Sequence, residues 1–127
     1  MSPPSGAERA PRLALMLVED DEEQALLARA CLEDEGYVVH SAANGVEALA
    51  LLPSIADLGL VIVDLQMPVM DGRTLIKRLR SEAFGHSVPI VVWSSDEFDP
   101  PSRITEFVRK PTELSRLLTL VRLHCGE

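Results

Sequence analysis

Five short apolar runs, four of them followed by a stretch with helical spacing, constrain this chain more than any other feature. "LALMLV" (13–18), "YVVHSA" (37–42), "LGLVIV" (58–63), "VPIVVW" (88–93) and "TEFV" (105–108) have strand length. A helix is predicted from Glu22 to about Glu35, with Leu26, Leu27, Ala30 and Cys31 on one face and Gly36 as its stop. A short helix over 44–52 would bury Val46, Leu49 and Ala50 and close at Pro53, and a third over 71–83 would turn Leu75, Ile76 and Leu79 inward. A last helix from Thr112, its N-cap, to about His124 places Leu114, Leu117, Leu118 and Val121 on one stripe. Strands alternating with helices imply a parallel sheet covered on both faces. With right-handed crossovers this gives an α/β, flavodoxin-like doubly wound sheet of five strands in the order 2-1-3-4-5.

In such a sheet, sites form at the carboxyl ends of the strands, so the residues standing there carry the functional reading. Strand one ends in Glu19-Asp20-Asp21, strand three in Asp64, and strand four in Ser94-Ser95. Strand five runs through Phe107-Val108 into Arg109-Lys110-Pro111, and strand two ends in Ser41 and alanines. Asp64 follows the apolar Val61-Ile62-Val63, where a carboxylate is out of place unless it has work to do. Glu19, Asp20 and Asp64 would repel one another unless a cation sat among them. Magnesium suits them, being a hard ion that takes one or two carboxylates and keeps several waters. A free oxygen of Asp64 could then attack phosphorus, with Lys110 and the Ser94 hydroxyl bonding the phosphoryl oxygens.

Composition narrows the class. A chain of 127 residues suits one domain, here residues 12–127, preceded by a disordered lead-in over 1–11 ("MSPPSGAERAP") with no signal-peptide core. The formal charge of −8 argues against direct binding to nucleic acid or to an anionic membrane. No apolar run is long enough to cross a bilayer. Cys31 and Cys125, far apart and without ligand spacing, read as idle thiols of a cytoplasmic protein. The chain stops soon after its last helix, which fits a stand-alone protein and a domain of a longer one equally well.

The stretches "LVEDDEE", "VIVDLQMPVMDG", "VVWSS" and "VRKP" together resemble the receiver domain of two-component response regulators, over about residues 12 to 125. The strand order above is itself a property of that family. The resemblance implies that Asp64 is phosphorylated by a histidine kinase or histidine phosphotransfer protein in a magnesium-dependent reaction, and later loses the group to water. The chain would thus catalyse its own modification without turning over a separate substrate. It further implies that Asp20, Asp64 and the main-chain carbonyl of Gln66 ligate magnesium, with Glu19 acting through water. Ser94 would be the switch hydroxyl, and Phe107 the aromatic that follows it. Lys110 would be the lysine preceding a proline, through a cis peptide. Gln66 and Asp96 flank the phosphate position and would tune hydrolysis. The downstream partner would be a protein, not nucleic acid or membrane, and the state a monomer or weak dimer.

Plainer readings stand beside these. Asp21 with Gln24 forms a D-x-x-Q helix cap, and Glu22 and Glu23 complement the helix dipole. Glu19 and Asp20 alone could be turn acids, Ser94 and Ser95 turn residues, and Lys110 a solvated lysine. Trp93 reads as core, with its indole near the rim. A magnesium-dependent phosphatase would need an acid two residues after Asp64, where Gln66 stands. The chain departs from the family between Ser94 and Lys110, where "FDPPSR" breaks any helix and leaves room for one short turn around "SRIT". The fourth helix is therefore expected to be shortened or absent, and ordering of this loop on phosphorylation could report the signal. An interaction module that keeps the fold without using the site is the alternative.

Overall fold

The computed structural model describes residues 12–95, 103–110 and 114–127. The lead-in over 1–11, the segment 96–102 with Asp96, the Lys110–Pro111 peptide and the Thr112 cap lie outside the described residues. Five parallel strands, β1 (Ala14–Val18), β2 (Val39–Ala42), β3 (Leu58–Val63), β4 (Ile90–Ser94) and β5 (Glu106–Arg109), stand in the order β2-β1-β3-β4-β5. Four helices accompany them: α1 (Glu22–Asp34), α2 (Gly45–Leu51), α3 (Gly72–Arg80) and α4 (Leu114–Cys125). Among the described residues no helix stands between β4 and β5. Arg103 and Thr105 are bends, and the start of the turn expected around "SRIT" lies outside the described residues.

Strict alternation along the strands divides the core in two. Leu15, Leu17, Leu60, Ile62, Val91, Trp93 and Val108 face one side, where Ala28 and Leu32 of α1 and Leu117 and Val121 of α4 cover them. Met16, Val18, Val61, Val63, Ile90 and Val92 face the other, beneath Ala48 of α2 and Leu75, Ile76 and Leu79 of α3. β1 and β3 are therefore apolar on both faces, as central parallel strands must be.

Two helix faces differ from the sequence expectation. In α1 the buried residues are Ala28 and Leu32, while Leu26 and Leu27 are 67% and 58% exposed. Nearly every position from Ala25 to Leu32 is apolar, so periodicity alone leaves two faces open. Packing chooses the one whose alanines let the helix lie close to the sheet. The same ambiguity in α2 resolves to Gly45 and Ala48, with Val46 and Ala50 outside. The inward residues of α3 fall where the spacing puts them; in α4 Leu117 and Val121 are buried as expected, Leu114 and Leu118 are half-buried against the same core, and Leu120 and Cys125 join it.

The ends of the elements are built from local chemistry. Asp21 caps α1 by accepting the Gln24 N–H at 3.0 Å, and Asp71 caps α3 by accepting the Thr74 N–H at 2.8 Å. Gly36, at φ +92°, ends α1: its N–H bonds the Glu33 carbonyl, and the Tyr37 N–H reaches back to Leu32. At the amino edge of the sheet the Leu13 N–H meets the Cys125 carbonyl at 2.8 Å, and the Tyr37 hydroxyl donates to the Gly126 carbonyl. Cys31 and Cys125 are free thiols; burial pushes the Cys125 thiol up to about 11, which keeps it protonated.

Arg80 secures the approach to β5. Its guanidinium donates to the carbonyls of Gly85 (3.0 Å), Val88 (2.6 Å) and Arg103 (2.8 Å), tying the end of α3 to the chain that enters β4 and β5. Thr105 then joins the sheet through its N–H to the Ile90 carbonyl, and its hydroxyl accepts the Ile90 N–H. Arg80→Met should lower unfolding stability by about 2 kcal/mol in urea titrations. Arg80→Lys should recover less than half of that, since one ammonium cannot span three carbonyls.

Candidate functional site

The site stands on the loops that leave β1, β3 and β5. Asp64 follows β3 directly, and its N–H bonds the Val18 carbonyl at 3.0 Å, so it is placed by the ladder to β1. Its side chain is buried: Oδ1 accepts the Gln66 N–H at 3.1 Å, and Oδ2 lies 3.5 Å from the Lys110 ammonium. Glu19, also buried, receives the Lys110 ammonium on Oε1 at 2.5 Å and the Asp21 N–H on Oε2 at 3.2 Å. Asp20 is exposed, and one carboxylate oxygen from each of Glu19, Asp20 and Asp64 lies within 4.8 Å of the others. Three acids expected to converge from the sequence do so, and Lys110 joins them.

Ser94 is the last residue of β4 rather than the first after it, and it is fully buried. Its carbonyl accepts the Lys110 N–H at 2.9 Å, which sets β5's exit against β4's. Gln66 is exposed, its side-chain carbonyl 3.5 Å from the Ser95 hydroxyl. Phe107 is half-buried on β5, opposite Val92 and on the α3 side of the sheet, with the Arg109 guanidinium 5.4 Å above its ring. Asp21 serves its helix, as the capping pattern indicates. The contact that sequence reasoning missed is between Lys110 and Trp93: the ammonium sits 4.5 Å from the centre of the indole ring. The available signal was period-two spacing on paired strands, which needs the register to be read.

The loop from Asp64 to α3 is tightly built. Val69 has φ +70°, and the Met70 N–H bonds the Pro68 carbonyl across it at 2.8 Å, a γ-turn that a β-branched residue adopts only under strain. Gly72 packs on the backbone of the strand end itself. A Cβ there would fall 2.3 Å from the Asp64 carbonyl oxygen and 2.7 Å from Leu65 Cα.

Burial pushes the Glu19 carboxyl up from 4.5 to about 7; the Lys110 hydrogen bond pulls it back, and the Asp64 charge adds to the rise. One lysine does not neutralise this group of acids. An oxygen-only donor set this compact, with charge left over, fits a hard divalent cation such as magnesium better than a softer ion.

The pattern of the response regulator receiver domain matches residues 15–122. The chain belongs to the response regulator receiver family. Receivers are the phosphorylated partners of histidine kinases in two-component signalling. The chain is 38% identical to the two-component response regulator ORR41 of Oryza sativa subsp. japonica, across 83% of this chain and 88% of that protein. It is 34% identical to the sensor kinase CckA of Brucella abortus over 85% of its own length, but that region is 12% of the kinase. In three dimensions it resembles the receiver domain of the sensor histidine kinase PA1611 of Pseudomonas aeruginosa, with a TM-score of 0.80, 22% identity, and coverage of 93% of this chain and 100% of that one. Among the described residues of this receiver, no helix is long and apolar enough to cross a membrane.

Two outcomes follow for the receiver's site. Gly72→Ala should destabilise the fold by about 2–3 kcal/mol in denaturant titrations, because the new methyl meets backbone that cannot yield. Glu19 has a higher pKa folded than unfolded, so its contribution to stability is full below pH 4.5 and is lost as the pH rises through about 7. Melting temperature in EDTA should therefore fall across that interval. Magnesium, which favours the ionised carboxylates, should flatten the fall.

Proposed function

We propose that this receiver is a phosphoacceptor that takes a phosphoryl group onto Asp64 from the phosphohistidine of a histidine kinase or histidine phosphotransfer protein. The observation that carries this reading is the Asp64 carboxylate itself, buried at a strand end, with one oxygen fixed by the Gln66 N–H and the other beside the Lys110 ammonium. The Asp64 oxygen attacks phosphorus, the N–P bond breaks with its electrons going to the imidazole, and an acyl phosphate forms. Lys110 turns from Glu19 to the phosphoryl oxygens, and the Ser94 hydroxyl, at the end of the neighbouring strand, approaches them as well. Phe107 then repacks on the outer side of β5 and changes a surface read by a downstream protein.

Magnesium belongs to this reading. Asp20, Asp64 and the Gln66 carbonyl would hold it, Glu19 through water, and the ion would neutralise charge on the phosphoryl oxygens. The PA1611 receiver domain carries a magnesium ion in its active-site cleft. A cytoplasmic location, where kinase and magnesium are both present, belongs to the same reading. The alternative, an interaction module independent of phosphorylation, draws its support from the consecutive prolines Pro100 and Pro101 in the sequence between β4 and β5, which break a helix.

Incubation with acetyl phosphate and magnesium, followed by intact-mass spectrometry, tests the reading. The wild type should gain one phosphoryl group; Asp64→Asn, or omission of magnesium, should abolish the gain. A wild type that gains nothing would leave the interaction module as the better account.

A further inference from the structure

We propose that Trp93 is a positioning residue for Lys110, holding its ammonium against the acidic site by the face of the indole ring; this rests on the phosphoacceptor reading. The register supplies the geometry. Trp93 on β4 stands opposite Val108 on β5, and both face the α1 and α4 side of the sheet. Lys110 lies two residues beyond Val108, so period-two alternation brings its side chain to the same side, diagonally across from Trp93. The ammonium settles 4.5 Å from the ring centre.

The surroundings make the contact count. Trp93 is 5% exposed and the Lys110 side chain 12%, so water competes little for the cation, and a cation–π contact is stronger where it is desolvated. An ammonium has three N–H donors and needs them for oxygen partners. Two are engaged or within reach here, at Glu19 Oε1 and Asp64 Oδ2. A carbonyl or hydroxyl in Trp93's place would consume a donor. The ring holds the charge through its quadrupole and leaves a donor for an incoming phosphoryl oxygen.

The indole also carries a cost that packing alone does not explain. Its Nε1–H is buried without a hydrogen-bond partner, where phenylalanine would fill much of the space and leave no orphaned donor. Tryptophan offers the strongest face for a cation among the aromatic side chains. Lys110 must leave Glu19 to reach the phosphoryl group, and the ring gives it a surface to move across without losing its charge partner.

The chain has one tryptophan, so biosynthetic replacement by fluorinated tryptophans alters this position alone. Added fluorine drains the ring's negative face while nearly preserving its shape. Along a series from tryptophan to a trifluorinated ring, the rate of phosphorylation by acetyl phosphate should fall steadily, by about tenfold in all, with the melting temperature unchanged. Trp93→Phe should lose about threefold, and Trp93→Met, which fills space without a π face, about tenfold. A flat fluorination series in a protein that does become phosphorylated overturns the role of Trp93 and leaves the phosphoacceptor intact. A wild type that takes no phosphoryl group overturns both.

Discussion

Lys110 brings a cation to both buried acids at the carboxyl edge of the sheet, and the arrangement of that edge depends on it. Glu19 and Asp64 come from β1 and β3, which lie side by side, so their charges are brought together by the same ladder that builds the core. Burial makes that costly. The lysine arrives from β5, two strands away from β3, and reaches across β4 to bridge the pair. Its own N–H is tied to the Ser94 carbonyl, so the main chain of β4 decides where the compensating charge falls. A change in β4's register would therefore disturb the acids without touching them.

The chain that enters β4 and β5 is held by side chains of α3 and of Thr105. Here the Arg80 fork gathers three carbonyls from two separate stretches of chain, and Thr105 bonds Ile90 both ways. Five donors in a planar fork can satisfy several main-chain carbonyls at once. Burial and the nearby Arg103 charge lower the Arg80 pKa, though it stays cationic. The fork therefore keeps its grip at any ordinary pH.

Much of this was legible in the sequence, for reasons that can be named. The five apolar runs and the strand-end rule are local, so the strands, the three acids, Lys110 and the caps at Asp21 and Gly36 could be reached by counting, while the strand order came with the fold type they suit. The buried faces of α1 and α2 could not, because residues 25–32 and 45–52 are apolar on too many sides for a period to choose between them. Trp93 beneath Lys110 was illegible for another reason. It depends on which residue of β4 stands opposite which residue of β5, and parallel strands have no hairpin turn to set that register. The lysine's closest contact, with Glu19 rather than Asp64, is likewise a matter of geometry between elements 91 residues apart.

The bond from Leu13 to Cys125 and the seat of Tyr37 on Gly126 hold the two ends of the fold side by side, at the amino edge of the sheet. β1 carries the chain from that edge to Glu19, a span of about 17 Å. A domain whose ends leave together, on the side away from its chemistry, can be spliced into a longer polypeptide as a cassette, with little strain on either junction and no obstruction of the site. The region of the Brucella sensor kinase that matches this chain is a small fraction of that protein's length.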